Sequence, residues 1–300
     1  MSLLAVGSVA LDSIQTPDER RDDVLGGSAT FFSYAASFFA PVRLVGVIGS
    51  DFPQEHVRLL EEHGVDTAGL DVVKGGRTFR WTGRYHEDLN TRETLHLELN
   101  VFGDHHPKVP EKFRDSRFVF LANGSPKDQM HTLAQVKSPD FVMCDTMNYW
   151  IDTEPDALHE LLPKVDALVI NDEEARMLGR KKNLIEAGRS VLRLGPKIVI
   201  VKKGEHGAFL FSSYFSCALP AFPVARVVDP TGAGDVFAGG FMGYLAEGDQ
   251  VTLGRMRRAM GYGTVLASFG VERFSLDGLR AVTRQQVDRR FDEFRDFVGL

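Results

Sequence analysis

The sequence of 300 residues is poor in cysteine and carries no excess of positive charge. Its two cysteines, Cys144 and Cys217, lie in apolar stretches, and no His/Cys/carboxylate set has the spacing of a metal site. This argues against a disulfide scaffold and predicts two buried thiols in a reducing compartment. The formal net charge of −6 argues against nucleic acid or an anionic membrane as a partner, since both require a clustered basic surface.

Long apolar runs are absent as well. No window approaches the ~18–20 apolar residues of a membrane span, and the N-terminus lacks the basic and apolar regions of a secretory leader. We therefore expect a cytoplasmic protein with no membrane association. The Gly-x-x-x-x-Gly-Lys-Ser/Thr pattern is missing, which excludes a P-loop enzyme. No Gly-x-Gly-x-x-Gly follows the first predicted strand, which weakens a dehydrogenase.

Short apolar, β-branched runs alternate with amphipathic helical patterns along the whole chain. This alternation predicts an α/β fold with a doubly wound, mostly parallel sheet, in which ligands collect at the carboxyl ends of the strands. No repeat, low-complexity tract or linker interrupts it, so residues 1–300 are predicted to form a single domain. The predicted strands are 3–9, 42–48, 118–122, 141–145, 167–170 and 198–202, and the predicted helices are 28–39, 53–63, 128–135, 154–162, 172–178 and 184–194.

One segment departs from this alternation. Residues 78–85 and 94–101 alternate polar and apolar side chains, and a polar turn around residues 87–90 separates them. The pattern predicts a β-hairpin outside the α/β core. The inserted segment, approximately residues 76–102, is a candidate lid or dimer surface; the alternative is a hairpin that only decorates a sheet edge.

The strongest chemical signal is residues 227–241, which read VVDPTGAGDVFAGGF. The amides of Gly232, Ala233 and Gly234 can converge on one anion, strengthened by the N-terminus of the helix predicted over 236–247. Asp235 in the first helical turn is then placed to accept a proton from an attacking hydroxyl. Taken alone, Gly-x-Gly-Asp favours a plainer interpretation, a glycine turn followed by an acid that the helix dipole stabilises.

The complete stretch resembles the C-terminal signature of the ribokinase-like PfkB carbohydrate kinases, a family that includes adenosine and other nucleoside kinases. The resemblance extends over nearly the whole chain. It implies a ribokinase-like fold and transfer of the γ-phosphoryl group of ATP, with Mg²⁺, to a primary hydroxyl of a sugar or ribonucleoside. The catalytic residues it implies are Asp235 as the base and Gly232, Ala233 and Gly234 as the anion hole.

Two stretches near the start resemble the family's acceptor site. Residues 7–12 resemble its first strand, which ends in an Asp that binds acceptor hydroxyls, and this implies that role for Asp12. The Gly26-Gly27 pair looks like the signature where the acceptor lies against a helix start. Many relatives have an Asn four residues later, where this chain has Phe31. Without the resemblance, Asp12 is an exposed acid at a strand end and Gly26-Gly27 an ordinary turn.

Aromatic residues are frequent around the presumed acceptor side, and a flat nucleobase stacks well on such rings. As a group they keep a nucleoside acceptor open beside a simple sugar, although most of them also suit a core or lid interface. Residues 145–148, at the end of a predicted strand, can face the acceptor or the phosphates. The aromatic residues are Phe31, Phe32, Phe79, Trp81, Tyr85, Phe102, Tyr149 and Trp150.

The resemblance also implies a nucleotide and metal site. Asn171 and Glu174 are similar to the family's Asn-x-x-Glu motif, whose Glu acts through Mg²⁺-bound water; the same pattern is also a plain capping box. Asp229 is implied, through its carbonyl, as part of a site for a monovalent cation such as K⁺. Further nucleotide contacts are implied for Lys203, Gly204, Gly207 and Gly263.

Two hypotheses follow. The first is a kinase that phosphorylates a sugar or a nucleoside and closes its lid over the acceptor to exclude water. The second is a catalytically silent, nucleotide-binding regulatory relative, against which the intact Asp235 and anion hole argue. A homodimer through the lid is suggested by the family and not by any spacing in the sequence.

Overall fold

The computed structural model describes residues 1–248 and 250–299. The strands are β1 (Leu3–Val6), β2 (Ala10–Gln15), β3 (Arg20–Gly26), β4 (Val42–Gly49), β5 (Val65–Val73), β6 (Phe79–Tyr85), β7 (Arg92–Glu98), β8 (Phe118–Leu121), β9 (Phe141–Asp145), β10 (Ala167–Asn171), β11 (Ile198–Lys202), β12 (Ala208–Ser212) and β13 (Ser216–Leu219).

The helices between and after these strands number eleven within the described residues, besides short 3-10 turns. They are α1 (Ser28–Ala36), α2 (Gln54–Glu62), α3 (Pro126–Leu133), α4 (Asn148–Thr153), α5 (Pro155–Leu161), α6 (Asp172–Gly179), α7 (Leu184–Leu192), α8 (Ala233–Glu247), α9 (Leu253–Gly270), α10 (Asp277–Arg280) and α11 (Arg284–Val298).

The large sheet has the order β13-β12-β11-β10-β9-β8-β1-β4-β5. The strands from β11 to β5 pair in parallel, and β12 and β13 add an antiparallel edge. Alternate residues of β1 show the two-sided burial: Leu3 and Ala5 pack into one apolar core, Leu4 and Val6 into the other. Helices α1, α8, α9 and α11 cover the first face, and α5, α6 and α7 cover the second. The predicted α/β fold with a mostly parallel sheet is confirmed.

A second sheet stands apart, with the order β3-β2-β6-β7. The hairpin indicated by the sequence forms as β6 and β7, and β6 also pairs in parallel with β2 over six residues. The predicted strand 3–9 is too long, because the chain leaves the large sheet after Val6 and re-enters the small sheet at Ala10. Asp12 therefore lies within β2 and not at the end of the first strand.

None of the helices in the described ranges, 1–248 and 250–299, has the length and apolar character needed to cross a membrane.

Candidate active site

The carboxyl ends of three neighbouring strands bring three polar side chains to one edge of the large sheet. β9 ends at Asp145, β10 at Asn171 and β11 at Lys202. These strands are buried on both faces, so the polar residues come where each strand leaves the core. Asp235, in the first turn of α8, joins them from the far end of the chain. The parallel sheet thus gathers charged groups that are widely separated in sequence.

A glycine turn leads into α8. Gly232 has a φ of 73°, in the left-handed region where a side chain would be strained, and a Cβ there would lie 2.5 Å from the ring of Phe31. The Ala233 amide donates to the Pro230 carbonyl at 3.2 Å. The Gly234 amide lies in the first helical turn, where amides have no intrahelical acceptor and can bind an anion. Of the three amides predicted to hold the phosphoryl group, that of Ala233 is therefore already engaged.

Asp235 has the electrostatic surroundings of a general base. Burial raises its pKa to about 7, and the negative charge of Asp145 contributes to the rise. The positive charges of Lys202 and Arg92 act in the opposite direction. A carboxyl group with a pKa near neutrality is well matched to accepting and releasing a proton at physiological pH.

Lys202 is the buried cation of this cluster. Its Nζ lies 3.5 Å from Asp145 Oδ2, and a Cβ on Gly234 would come within 2.7 Å of the same nitrogen. Burial lowers the pKa of Lys202, but the charges of Asp145, Glu174 and Asp235 more than offset it, and the net shift is upward. Lys202 therefore remains protonated beside the glycine turn, where a positive charge can stabilise a transferring phosphoryl group.

Asn171 and Glu174 form a reciprocal capping box at the start of α6. Asn171 Oδ1 accepts from the Glu174 amide at 2.8 Å, and Glu174 Oε2 accepts from the Asn171 amide at 2.8 Å. Burial raises the pKa of Glu174 to about 7, and Asp145 adds to the rise. Burial next to another carboxylate destabilises the charged form of Glu174, and a helix cap alone does not require such burial. The capping box and a role near a cation are therefore both compatible with the geometry.

Magnesium would fit this edge through water and phosphate ligands. Within the described residues, no group of three or more His, Cys, Asp or Glu side chains is arranged to hold a metal ion directly. Mg²⁺ in nucleotide enzymes usually keeps several waters and takes only one or two carboxylates. Burial raises the pKa values of both Asp145 and Glu174, and a divalent cation would relieve the cost of their charges.

Asp12, in β2 of the small sheet, lies beside the glycine pair at the end of β3, which precedes α1. Gly26 is so close to Asp12 that a Cβ there would overlap Asp12 Oδ2 at 1.9 Å. Burial raises the pKa of Asp12 to about 8, and the charges of Asp229 and Asp235 add to it. Asp12 is therefore within electrostatic reach of Asp235, as an acceptor-binding residue must be.

The Asp229 side chain links the loop before α8 to the loop between α9 and α10. Its Oδ1 accepts from the Thr231 amide at 2.9 Å and its Oδ2 from the Ser275 amide at 3.0 Å. Burial raises its pKa, and these hydrogen bonds act against the rise. The side chain thus fixes two loops near the turn, while cation binding by its carbonyl stays a prediction.

The remaining predicted nucleotide residues lie further from the charged cluster. Lys203 Nζ lies 4.6 Å from the centre of the Phe209 ring, whereas Nζ of the preceding residue, Lys202, lies beside Asp145. Gly204 and Gly207 form the turn between β11 and β12, where the Lys203 amide donates to the Gly207 carbonyl at 2.7 Å. Gly263 is buried in α9, and a Cβ there would lie 2.6 Å from a backbone carbonyl of α8. For Gly263 the structure gives a helix-packing reason; nucleotide contacts of these four residues stay predictions.

The β6–β7 hairpin contacts the part of the molecule built around the large sheet at two places. The Thr231 hydroxyl donates to the Tyr85 hydroxyl at 3.1 Å, and Asn90 Nδ2 donates to Glu205 Oε1 at 3.4 Å. Arg92, at the start of β7, lowers the pKa values of the three carboxylates at the edge of the large sheet. The hairpin therefore lies over the site and contributes a positive charge to it.

A cavity of about 230 Å³ lies at the carboxyl ends of β1 and β8. It is connected to the charged cluster by Gln129, which lines the cavity and donates from Nε2 to the Asp145 carbonyl at 2.9 Å. Gly7 and Ala122 line its base, and Trp150 and Phe102 are among its walls. Its volume is below the about 300–1,000 Å³ of pockets for drug-sized ligands, so it fits one ring system.

Three features of the site are not indicated by the sequence pattern. Lys202 and Lys203 are adjacent, and nothing in the sequence tells which of two residues at a strand end faces the cluster. Arg92 lies in a polar hairpin whose orientation depends on the small sheet. Trp150 belongs to the group of aromatic residues above, but only the fold brings it to the cavity.

Comparison with known proteins agrees with this geometry. Residues 3–277 match the model of the pfkB family of carbohydrate kinases. Cytidine kinase of Thermococcus kodakarensis is 29% identical over 83% of this chain and 90% of its own length. A 2-dehydro-3-deoxygluconokinase of Thermoproteus tenax is 37% identical over 83% of each chain.

A solved structure shares the fold. Burkholderia thailandensis nucleoside kinase, in complex with inosine, superposes with a TM-score of 0.83 at 20% identity over 98% of this chain and 97% of its own. Kinases of the pfkB family use ATP. The chain belongs to the pfkB family of carbohydrate kinases and is a phosphotransferase that acts on an alcohol group of a sugar or nucleoside.

Proposed function

We propose that this protein is a nucleoside kinase that transfers the γ-phosphoryl group of ATP to the primary hydroxyl of a ribonucleoside. The observation that carries the choice of a nucleoside is the cavity beside Gly7, walled by Trp150 and Phe102. A free pentose or hexose fits beside Asp12 without such a cavity, whereas a nucleoside needs room and an aromatic surface for its base. The cytidine kinase relative supports the same choice.

The Trp150 ring is held in place for stacking. Its Nε1 donates to Asn123 Oδ1 at 3.1 Å, which fixes the ring in one orientation. Asn123 follows the end of β8, so the ring is attached to the rigid sheet and not only to its own short helix. A ring fixed in this way loses little conformational entropy when a base stacks on it.

We propose the following chemistry for the charged cluster. Asp12 and the Gly26-Gly27 pair hold the ribose hydroxyls, and the primary hydroxyl then lies between Asp12 and Asp235. Asp235 accepts the proton of that hydroxyl, which makes the oxygen a better nucleophile. The Gly232 and Gly234 amides and Lys202 stabilise the negative charge on the transferring group. Phe31 supports the glycine turn from beneath and does not reach the acceptor's hydroxyls as an Asn would.

The nucleotide side is proposed to bind MgATP. When bound, Mg²⁺ supplies charge neutralisation at the phosphates. Asn171 and Glu174 would hold it through water beside Asp145, and Lys203, Gly204 and Gly207 would contact the nucleotide. We also propose a monovalent cation such as K⁺ at the Asp229 carbonyl, which is tested by measuring activity with K⁺ and then with a large organic cation in its place.

The small sheet is proposed to act as a lid, with residues 76–102 at its centre, and to support a homodimer. The support for the lid is its contacts with Thr231 and Glu205. The support for a dimer is a face of β7 on which Leu95 and Leu97 are 39% and 51% exposed. Light scattering of the wild type and of Leu97→Lys tests the dimer: a change from two subunits to one is expected.

The decisive experiment is release of ADP from MgATP in the presence of a panel of pentoses, hexoses, sugar acids and ribonucleosides. We expect kcat/KM to be highest for a ribonucleoside. A free sugar or sugar acid as the best acceptor would contradict the proposal while leaving the family assignment intact. No product with any acceptor, with ATP still bound, would instead favour the catalytically silent relative.

A further inference from the structure

The cavity next to the charged cluster is lined by the carboxylate of Glu154 and by the Trp150 ring. The Glu154 amide donates to the Trp150 carbonyl at 3.0 Å, so the two residues lie one helical turn apart. Both side chains line the cavity. A flat ligand stacked on the Trp150 ring therefore has its edge close to the Glu154 side chain.

Glu154 does not have the side-chain role expected from its position in the chain. It is the N-cap residue of α5, yet its side chain makes no capping hydrogen bond. Instead its two oxygens accept from the single hydroxyl of Ser125, at 3.2 and 3.0 Å, and its side chain is 19% exposed. Two carboxylate oxygens have about four lone-pair sites, so most of their accepting capacity remains for a ligand.

The charges around the cavity also favour a ligand that donates hydrogen bonds. A second carboxylate, that of Asp128, also lines the cavity. Its Oδ1 is hydrogen-bonded to His106 Nδ1 at 2.7 Å. Lys127 Nζ lies 3.7 Å from Glu154 and is 71% exposed, so its charge is largely screened by solvent. Burial lowers the pKa of His105, which keeps this cavity residue neutral near pH 7. The cavity is thus poorly suited to an anionic sugar acid.

We propose that Glu154 determines which nucleobase is accepted, by receiving a hydrogen bond from the exocyclic amino group of the base. This inference rests on the proposed nucleoside kinase activity. Cytosine and adenine carry such a group, whereas uracil and hypoxanthine have a carbonyl oxygen in its place. A carbonyl oxygen facing a carboxylate loses the hydrogen bond and is repelled by it, since both atoms carry lone pairs and negative charge.

The test measures kcat/KM for cytidine and uridine, and for adenosine and inosine, with the wild type and with Glu154→Gln. A hydrogen bond to a charged group is worth about 1.5–3 kcal/mol, equivalent to roughly a tenfold to hundredfold preference. We expect the wild type to prefer the amino base of each pair by at least about tenfold. The Gln side chain has the same shape and can also donate to a carbonyl, so the ratio should fall by a similar factor.

The matched control is Glu160→Gln, which makes the same chemical change on α5 at a side chain that is 65% exposed and pairs with Lys164. It should leave both ratios unchanged. Each ratio comes from two substrates on one preparation, so it does not depend on the fraction of the variant that folds. Wild-type enzyme that prefers the carbonyl bases or shows no preference overturns the inference, even without a variant.

The two proposals fail in different ways. If nucleosides are phosphorylated but Glu154→Gln leaves the ratios unchanged, the assignment of Glu154 is wrong and the nucleoside kinase stands. If sugars are phosphorylated and no nucleoside is, the proposed function itself is wrong, and the inference falls with it.

Discussion

The two halves of the site are built from different kinds of structure. The transfer half consists of Asp145 and Lys202, at the ends of parallel strands, and Asp235 in the first turn of a long buried helix. The proposed acceptor half is a cavity whose outer walls come from the segment after the β6–β7 hairpin and from the short helix α4. The first half is fixed by the core, and the second is carried by surface segments. Chemistry can therefore stay constant in this fold while the acceptor changes.

The largest effect is expected in the transfer half. Asp235→Asn removes the general base and should lower kcat by at least about 10²–10⁴-fold. Binding of ATP, measured by calorimetry, should change little, because in the proposed mechanism Asp235 acts on the acceptor hydroxyl and not on the nucleotide. A variant with nearly the wild-type kcat would show that the base has been assigned to the wrong residue.

The two adjacent lysines give a sharper test within the same half. Lys202→Met removes a buried positive charge from between carboxylates and should lower kcat by about 10²–10³-fold, as for loss of one preorganised charge-stabilising group. Lys203→Met is the comparison variant: its Nζ lies over Phe209 and its proposed contact is with the nucleotide, so this substitution should lower kcat by less than about tenfold. Equal effects of the two substitutions on steady-state rates would contradict the arrangement seen here.

In the acceptor half, Trp150→Ala should raise KM for ribonucleosides by about tenfold or more, since stacking of a base on an aromatic ring is worth about 1–3 kcal/mol. The kcat value at saturation should fall much less, because no charged group of the cluster is changed. Trp81→Ala, on β6, is the control. A collapse of kcat in Trp150→Ala would mean that the two halves are not separable.

The smallest effect concerns stability and pH. Burial raises the pKa of Asp12 to about 8, above its ordinary value of 3.8, so the folded protein binds more protons than the unfolded chain between these values. The contribution of Asp12 to stability is therefore full at low pH and is lost as pH rises toward 8. The difference in Tm between Asp12→Asn and the wild type should therefore be more favourable to the variant at pH 8 than at pH 5, by a few degrees, in the absence of ligands. The same substitution should weaken acceptor binding.

A Tm difference between wild type and Asp12→Asn that does not change with pH would contradict the raised pKa of Asp12. Asp22→Asn, on the exposed part of β3, is a suitable control, since the pKa of Asp22 is lowered by its hydrogen bond with Arg20.

Sequence spacing indicated those parts of the transfer half that are local in the chain. Residues 232–235 form one turn, and Asn171 with Glu174 forms one capping box, so local spacing contains the geometry. Lys202 could not be distinguished from Lys203, because one residue more or less at a strand end reverses the side that the chain faces. The spacing of residues in the sequence predicts local geometry, but it does not predict which strand end contacts which helix.

The acceptor half was less predictable for the same physical reason. Gly7, Phe102 and Trp150 come together only through the sheet order, which no single-sequence pattern specifies. The small sheet was only half indicated, since β6 and β7 alternate polar and apolar residues, but β3 begins with four charged residues and shows no such alternation. Its strand β2, at residues 10–15, was not predicted at all, because the first predicted strand ended at residue 9.

The parallel pairing of β2 with β6 has a consequence for the timing of turnover. The register runs from Ala10 opposite Phe79 to Gln15 opposite Arg84, with Asp12 opposite Trp81 in between. The hairpin is thus not a free flap but one body with the strand that carries the acceptor's carboxylate. If the small sheet opens as the proposed lid, Asp12 moves with it away from Asp235, and the proposed reaction centre comes apart whenever water can enter.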